Sequence, residues 1–214
     1  MEHRHSARLV IADDHTLVAE ACKSFLEPEF EVAGIVDNGR SLLRLACELK
    51  PEVVILDIAM PQLNGLEAGE QIKHLLPATK LVFLTMNMSP EMAAEAFRRG
   101  ASGYVVKSAA AEELVRAIRR ALRSESYLSP AITRDTVDFL LRKGNPYSEE
   151  KRITPRQKEV LQLLAEGKSM KEIAGALNLK AGTVAFHKYK MMEVLGLKSN
   201  AELLHYAIKH HLVD

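Results

Sequence analysis

Cysteine is scarce in this chain, long apolar runs are missing, and neither sign of charge dominates. The 214 residues include only Cys22 and Cys47, both inside helical-looking stretches. That excludes a disulfide framework and reads as two small core residues of a reduced, cytoplasmic protein. No apolar run approaches the ~20 residues of a membrane span. The N-terminus, Met1 to Ser6, is polar and leads straight into a strand, so it is not expected to be a signal peptide. Internal repeats and low-complexity tracts are also missing. Net charge is +1, but the average hides an asymmetry. Residues 1–150 carry 18 Lys and Arg against 22 Asp and Glu, a net −4; residues 151–214 carry 11 against 6, a net +5. A basic C-terminal segment behind an acidic N-terminal one suggests a polyanion-binding module fused to something else.

The length suits one or two domains, and a hydrophobic content of 47% is ample for packed cores. Five strand candidates, 8–12, 31–36, 53–57, 80–85 and 103–107, alternate with helical patterns up to about residue 123. Single helices between strands argue for a doubly wound, flavodoxin-like, five-stranded parallel α/β sheet over 7–123. Residues 124–152 read as a linker with a helix that starts at Ser129-Pro130 and ends near Leu141; 144–150 are polar and turn-rich. Residues 153–214 read as an all-α four-helix domain. Thr154-Pro-Arg-Gln157, Ser169-Met-Lys-Glu172 and Ser199-Asn-Ala-Glu202 are capping boxes that fix three helix starts. A further helix over 181–195 has no such start, and Gly167 and Gly196 mark helix ends.

Chemistry-bearing residues collect at strand ends. Asp13 and Asp14 follow Leu9-Val-Ile-Ala12, Asp57 follows Val53-Val-Ile-Leu56, Thr85 closes Leu81-Val-Phe-Leu84, and Lys107 follows Tyr104-Val-Val106. Open parallel sheets form their ligand sites at the carboxyl ends of strands. Three carboxylates suit a hard divalent cation such as Mg²⁺, and a Thr hydroxyl with a Lys ammonium suits phosphoryl oxygens. Asp57 is the candidate nucleophile, able to form an aspartyl phosphate. Asp13 or Asp14 alone would read as a helix N-cap, and Tyr104 alone as a core aromatic; the convergence carries the reading. Thr85 would donate its hydrogen bond only to a bound phosphoryl group, the seed of a switch.

The stretch Leu56-Asp57-Ile-Ala-Met-Pro61, then Asn64-Gly65-Leu66-Glu67, resembles the phosphoacceptor loop of response-regulator receiver domains. The Asp13-Asp14 pair, Leu84-Thr85 and Gly103-Tyr104-x-x-Lys107 resemble the rest of that site. The resemblance implies that Asp57 takes a phosphoryl group from a partner sensor histidine kinase. It implies that the Ala59 backbone carbonyl joins the Mg²⁺ ligands, and that Tyr104 partners Thr85, turning inward on activation. One departure is Lys107-Ser108, where many receivers have Lys-Pro.

Lys168 to Asn178 followed by Leu179 to His187 reads as helix, tight turn, helix. In the second helix Val184, His187, Met191 and Leu195 share a core face, while Lys188 and Lys190 suit phosphate contacts. Residues 153–212 resemble the LuxR-type helix-turn-helix of NarL/FixJ response regulators. The matching residues include Thr154-Pro-Arg156, Lys171-Glu-Ile-Ala174, Thr183-Val184, His187 and Leu195-Gly196. By that resemblance Thr183 and Lys188 touch backbone phosphate, and Ala185, Phe186 and Tyr189 face bases. Lys180 stands where the family usually has a Ser cap. Bidentate readout of guanine or adenine is not available from Ala, Phe and Tyr, so modest base discrimination or reliance on groove shape is expected. His205, His210 and His211 lack a partner carboxylate or Cys at metal-ligand spacing and read as solvated or capping.

The expectation is therefore a two-component response regulator, a phosphoprotein whose modification at Asp57 with Mg²⁺ switches dimerisation or exposure of a DNA-binding helix and so regulates transcription. It would bind double-stranded DNA, pair as a homodimer when phosphorylated, and catalyse only its own phosphorylation and dephosphorylation. Two alternatives share the fold: a phosphorylation-independent regulator and a phosphate sink. One of another class is a Mg²⁺-dependent phosphohydrolase, although such enzymes usually carry a D-x-D pattern on the first strand and this chain has Asp13-Asp14-His15. A helical module that binds protein rather than DNA is the alternative for the C-terminal part.

Overall fold

The computed structural model describes residues 6–109, 111–142 and 153–209. The polar stretch 144–150, His210 and His211 fall outside the described residues. The N-terminal body is a parallel sheet of β1 (Arg8–Ala12), β2 (Glu31–Val36), β3 (Val53–Leu56), β4 (Lys80–Thr85), β5 (Gly103–Val106) and β6 (Tyr127–Leu128), in the order β2-β1-β3-β4-β5-β6. Behind a charged first residue in β1, β2 and β4, the strands run apolar because helices cover both faces of the sheet. Leu9, Ile11, Val53, Ile55, Val82 and Leu84 point to one face, where α1 (Thr16–Leu26) and α5 (Ala111–Leu122) pack. Val10, Ala12, Val54, Leu56, Leu81 and Phe83 point to the other, covered by α2 (Gly39–Leu49), α3 (Gly65–Leu75) and α4 (Pro90–Arg98). Successive side chains alternate faces in a strand, so one run feeds two cores.

Six strands stand where five were expected. β6 is two residues long and pairs parallel with β5 through Gly103↔Tyr127 and Tyr104↔Leu128. Two residues carry no period-two pattern, which is why it could not be read. The next helix, α6 (Pro130–Arg142), starts at the expected Ser129-Pro130. Its Ile132 is fully buried in the sheet's core, and the Ser129 amide donates to the Tyr104 carbonyl at 2.9 Å. The stretch 124–142 thus continues the sheet rather than merely spanning a gap. The cysteines divide: Cys22 is half-buried and packs against the core under α1, while Cys47 is exposed and departs from expectation.

The strand order reverses at β1, which has β2 on one side and β3 on the other. Such a switch point opens a crevice beyond the carboxyl ends of the strands, here the ends that lead into Asp13 and Asp57. The loop from β3 to α3 closes tightly over this place. A Cβ on Gly65 would sit 1.9 Å from the Asp57 carbonyl oxygen, so only glycine lets α3 start there. Asn64 caps α3 by accepting from the Glu67 amide at 3.0 Å.

The C-terminal body packs α7 (Pro155–Ala165), α8 (Met170–Leu177), α9 (Ala181–Leu195) and α10 (Asn200–Lys209) around Val160, Leu161, Ile173, Val184, Met191 and Leu203. Both reciprocal bonds of the capping boxes form at Thr154/Gln157 and Ser169/Glu172. The third expected box is half made. The Ser199 hydroxyl accepts from the Glu202 amide at 3.1 Å, but the Glu202 carboxylate reaches the Lys198 amide instead. α9 begins after Lys180 with no side-chain cap, as expected, and ends at Gly196 in the left-handed region. Among the described residues no helix is long and apolar enough to cross a membrane.

Candidate functional site

The sheet brings the expected receiver residues together. Lys107 Nζ lies 2.5 Å from Asp57 Oδ2 and 2.7 Å from Asp13 Oδ2. The other Asp57 oxygen accepts from the Ile58 amide at 2.6 Å. Asp13 and Asp57 are each 4% exposed. Asp14 is more open and meets His15 Nδ1 at 3.0 Å. Donor atoms of Asp13, Asp14, His15 and Asp57 all lie within 4.8 Å of one another. His15 was not among the expected site residues; its place directly after the aspartate pair was the available signal.

Two buried carboxylates around one ammonium set the electrostatics. Burial pushes the Asp57 carboxyl up, with Lys107 opposing and the Asp13 charge adding to the rise. Burial works against the Lys107 charge, but hydrogen bonds to Asp13 and Asp57 outweigh it and raise its pKa. Lys107 therefore stays a cation, and one positive charge faces two or three negative ones. That surplus of hard oxygen donors fits a divalent cation of the Mg²⁺ type.

Thr85 and Tyr104 stand beside this cluster. Thr85 Oγ1 accepts from the Asn87 amide at 3.1 Å, fixing the turn after β4. Tyr104, expected to turn inward only on activation, is already inside: it is fully buried, and its hydroxyl donates to the Asn87 carbonyl at 2.9 Å. Burial, then the Asp57 charge, pushes the phenol's pKa up. Both side chains grip the same residue, so the β4–α4 turn is tied to the pocket from two sides.

In the C-terminal body α8, a left-handed turn at Asn178 and α9 make the expected helix-turn-helix. An Arg156 guanidinium N–H donates to the Leu177 carbonyl at 2.6 Å, tying α7 to the end of α8. Phe186 and Tyr189 are 63% and 65% exposed on α9, while Thr183 and Ala185 are half-buried. Of the expected core face, Val184 and Met191 are buried, and His187 and Leu195 half-buried. Lys190 is exposed and pairs with Glu193 at 2.8 Å. Lys188, expected to touch backbone phosphate, is instead buried, with its ammonium 5.6 Å from the Tyr189 ring centroid. A long apolar stem lets a lysine be buried in this way while its ammonium lies over an aromatic ring.

The model of the response regulator receiver domain matches residues 9–119, and that of the bacterial regulatory proteins of the luxR family matches residues 151–207. The chain is a two-component response regulator. Its receiver is joined to a LuxR-type helix-turn-helix that binds DNA and regulates transcription. Similar proteins span its whole length. The transcriptional regulatory protein MctR of Rhizobium johnstonii is 31% identical over 216 residues, covering 100% of this chain and 99% of its own. The oxygen regulatory protein NreC of Staphylococcus carnosus is 35% identical over 215 residues, covering 97% and 99%. A structure of the RcsB response regulator of Salmonella typhimurium aligns at 28% identity and a TM-score of 0.63, covering 94% of this chain and 96% of that one. RcsB is also known as two dimers bound to two parallel DNAs, a structure that aligns at 27% identity with a TM-score of 0.58, covering 94% of this chain and 98% of that one.

Sequence reasoning missed one group altogether. Gln162 on α7 is 1% exposed, and all its polar contacts but one reach the loop that follows Asp57. A single polar residue in an amphipathic helix gives no signal of that kind.

Proposed function

We propose that Asp57 accepts a phosphoryl group from a partner histidine kinase and that this modification controls DNA binding by the helix-turn-helix. The observation that carries the proposal is the 2.5 Å contact between Lys107 and Asp57 in a buried, carboxylate-rich pocket. An Asp57 carboxylate oxygen attacks phosphorus, the O–P bond forms, and the N–P bond to the donor imidazole breaks, its electron pair returning to the ring nitrogen. Asp13, Asp14, Asp57 and the Ala59 backbone carbonyl would hold Mg²⁺, which when bound supplies positive charge to the phosphoryl oxygens. Lys107 supplies a fixed second charge. The Thr85 hydroxyl donates to a phosphoryl oxygen once one is present, and Tyr104 moves with it because both hold Asn87. The chain catalyses only its own phosphorylation and dephosphorylation.

A 1:99 equilibrium moved to 99:1 needs about 5.5 kcal/mol of differential stabilisation. One hydroxyl bond and one charge contact fall short of that, so association into a homodimer supplies the rest. A dimer also presents two copies of α9 to half-sites about one helical turn apart. On the DNA, Lys190, Thr183 and the tip of Lys188 meet phosphates, and Phe186, Tyr189 and Ala185 face the bases of double-stranded DNA. Reduced thiols at Cys22 and Cys47 and the acidic phosphoacceptor pocket suit a cytoplasmic protein. The receiver spans 7–123, extended by 124–142, and the DNA-binding domain covers 153–214. The test is labelling by acetyl phosphate with Mg²⁺: the wild type is labelled, and Asp57→Asn is not. Stoichiometric labelling of that variant would refute the assignment, and DNA affinity indifferent to beryllofluoride would refute the switch.

A further inference from the structure

We infer that Gln162, a residue of the DNA-binding domain, is a positioning residue for metal binding and phosphoryl transfer at Asp57. The inference rests on the reading of Asp57 and the Ala59 carbonyl given above. Ala59 lies in the loop 58–64, which leaves β3 at the phosphoacceptor and enters α3 at Asn64. Three backbone groups of that loop are satisfied by side chains from α7 and its C-cap residue, Glu166. Gln162 Oε1 accepts from the Asn64 amide at 2.8 Å, with the Asn64 side-chain nitrogen at 3.4 Å. Gln162 Nε2 donates to the Met60 carbonyl at 2.8 Å. Glu166 accepts from the Gln62 amide at 2.9 Å and from Gln162 Nε2 at 3.0 Å.

These contacts hold a strained loop. Gln62 has φ +66°, a left-handed conformation that a non-glycine residue adopts only when its surroundings impose it. The loop's own bonds, from the Met60 and Gly65 amides to the Ile58 carbonyl at 3.2 and 2.8 Å and from the Leu63 amide to the Pro61 carbonyl at 2.8 Å, leave the Met60 carbonyl and the Gln62 and Asn64 amides to Gln162 and Glu166. Ion pairs flank the clamp, Lys158 to Glu67 at 3.0 Å and Arg40 to Glu159 at 2.8 Å. Lys158, Glu159, Gln162 and the C-cap residue Glu166 fall on one side of α7, spaced by one, three and four residues, so the helix presents a single receiver-facing edge.

With α7 in this place, Phe186 and Tyr189 on α9 remain mostly exposed. Docking therefore does not act here by covering those two side chains. It acts on the loop, by fixing the backbone that brings Ala59 to the cation. Binding couplings are reciprocal: whatever factor the docked helix adds to cation affinity, the cation adds to docking. The DNA-binding domain is then part of the receiver's chemistry, not only its output.

The test uses the full chain with Gln162→Met, which keeps the side chain's volume and removes both hydrogen-bonding ends. Hydrogen exchange at the Asn64 amide reports the clamp, Mg²⁺ titration by calorimetry reports affinity, and acetyl phosphate labelling across Mg²⁺ concentrations reports transfer. The expected result is faster Asn64 exchange and a Mg²⁺ Kd raised about fivefold, the equivalent of ~1 kcal/mol for a lost hydrogen-bond contribution. Labelling slows at subsaturating Mg²⁺ and returns to the wild-type rate at saturation, a split that general destabilisation would not produce. Faster exchange with unchanged Mg²⁺ affinity and labelling would overturn the inference, as would a wild-type Asn64 amide that exchanges as fast as the variant's. A wild type that takes no label at saturating Mg²⁺ would instead overturn the Asp57 reading, and this inference with it.

Discussion

Removing the one ammonium in the pocket is the sharpest perturbation available. Lys107→Met keeps an unbranched side chain of similar length, so the packing of its stem survives and the charge alone is lost. Lys107 is nearly buried and touches two carboxylates that are themselves buried, Asp13 at 2.7 Å and Asp57 at 2.5 Å. Breaking a buried ion pair strands the remaining charge, at a typical cost of about 3–5 kcal/mol. Burial already pushes the Asp57 carboxyl up with Lys107 in place, and losing Lys107 pushes it further toward its neutral form, which limits the loss. The lower end, about 3 kcal/mol, is therefore expected without divalent cation. Mg²⁺ replaces the missing charge: at ten times its Kd it restores about 1.4 kcal/mol, and at a hundred times about 2.7 kcal/mol. The assay is urea unfolding of both proteins at several Mg²⁺ concentrations, with chelator as the zero point. A variant within ~1 kcal/mol of the wild type in chelator would refute the claim that Lys107 neutralises these carboxylates. Equal Mg²⁺ dependence in the two proteins would refute the claim that cation and ammonium answer the same charge.

Gly65→Ala is expected to cost about 3 kcal/mol, the upper range for overpacking, because the new methyl meets the Asp57 carbonyl oxygen, which cannot step aside; urea unfolding and acetyl phosphate labelling should fall together, and a stable, labelled variant would contradict the close approach. Lys190→Ala should weaken DNA binding nearly equally across sequences and reduce the slope of log affinity against log salt by about 1, whereas Phe186→Ala should flatten sequence preference and leave that slope alone. Glu95 gives an acid limb to stability. Burial pushes its carboxyl up, but the hydrogen bond and charge of Arg99, with Arg98, outweigh this and hold it below its ordinary value of 4.5. A depressed acid adds stability above its unfolded value and loses it as pH falls through the folded one. Melting temperature should therefore fall less steeply in Glu95→Gln than in the wild type between about pH 5 and 3, and identical slopes would show that the Arg99 contact contributes nothing.

What could be read from the residues divides along a physical line. The five longer strands were legible because a sheet covered on both faces needs an apolar strand interior, and in β1, β3, β4 and β5 that run leads to a functional residue at its end. Helix starts were legible where a short polar side chain must answer orphan amides, as at Thr154 and Ser169. β6 was not, since two residues joined to an existing sheet need only the edge of β5, not a pattern of their own. Lys188 was legible in part: it stands four residues after Val184 and three before Met191, on the same stripe, and a lysine stem fills such a place as well as a methionine would. Gln162 lay beyond reach, because its partners are the backbone of a loop about a hundred residues away and every residue offers the same amide and carbonyl there. Sequence shows what a side chain is able to bind only when the partner is another distinctive side chain. Asp13, Asp57 and Lys107 announce one another in that way, and the coupling between the two domains runs through groups that do not.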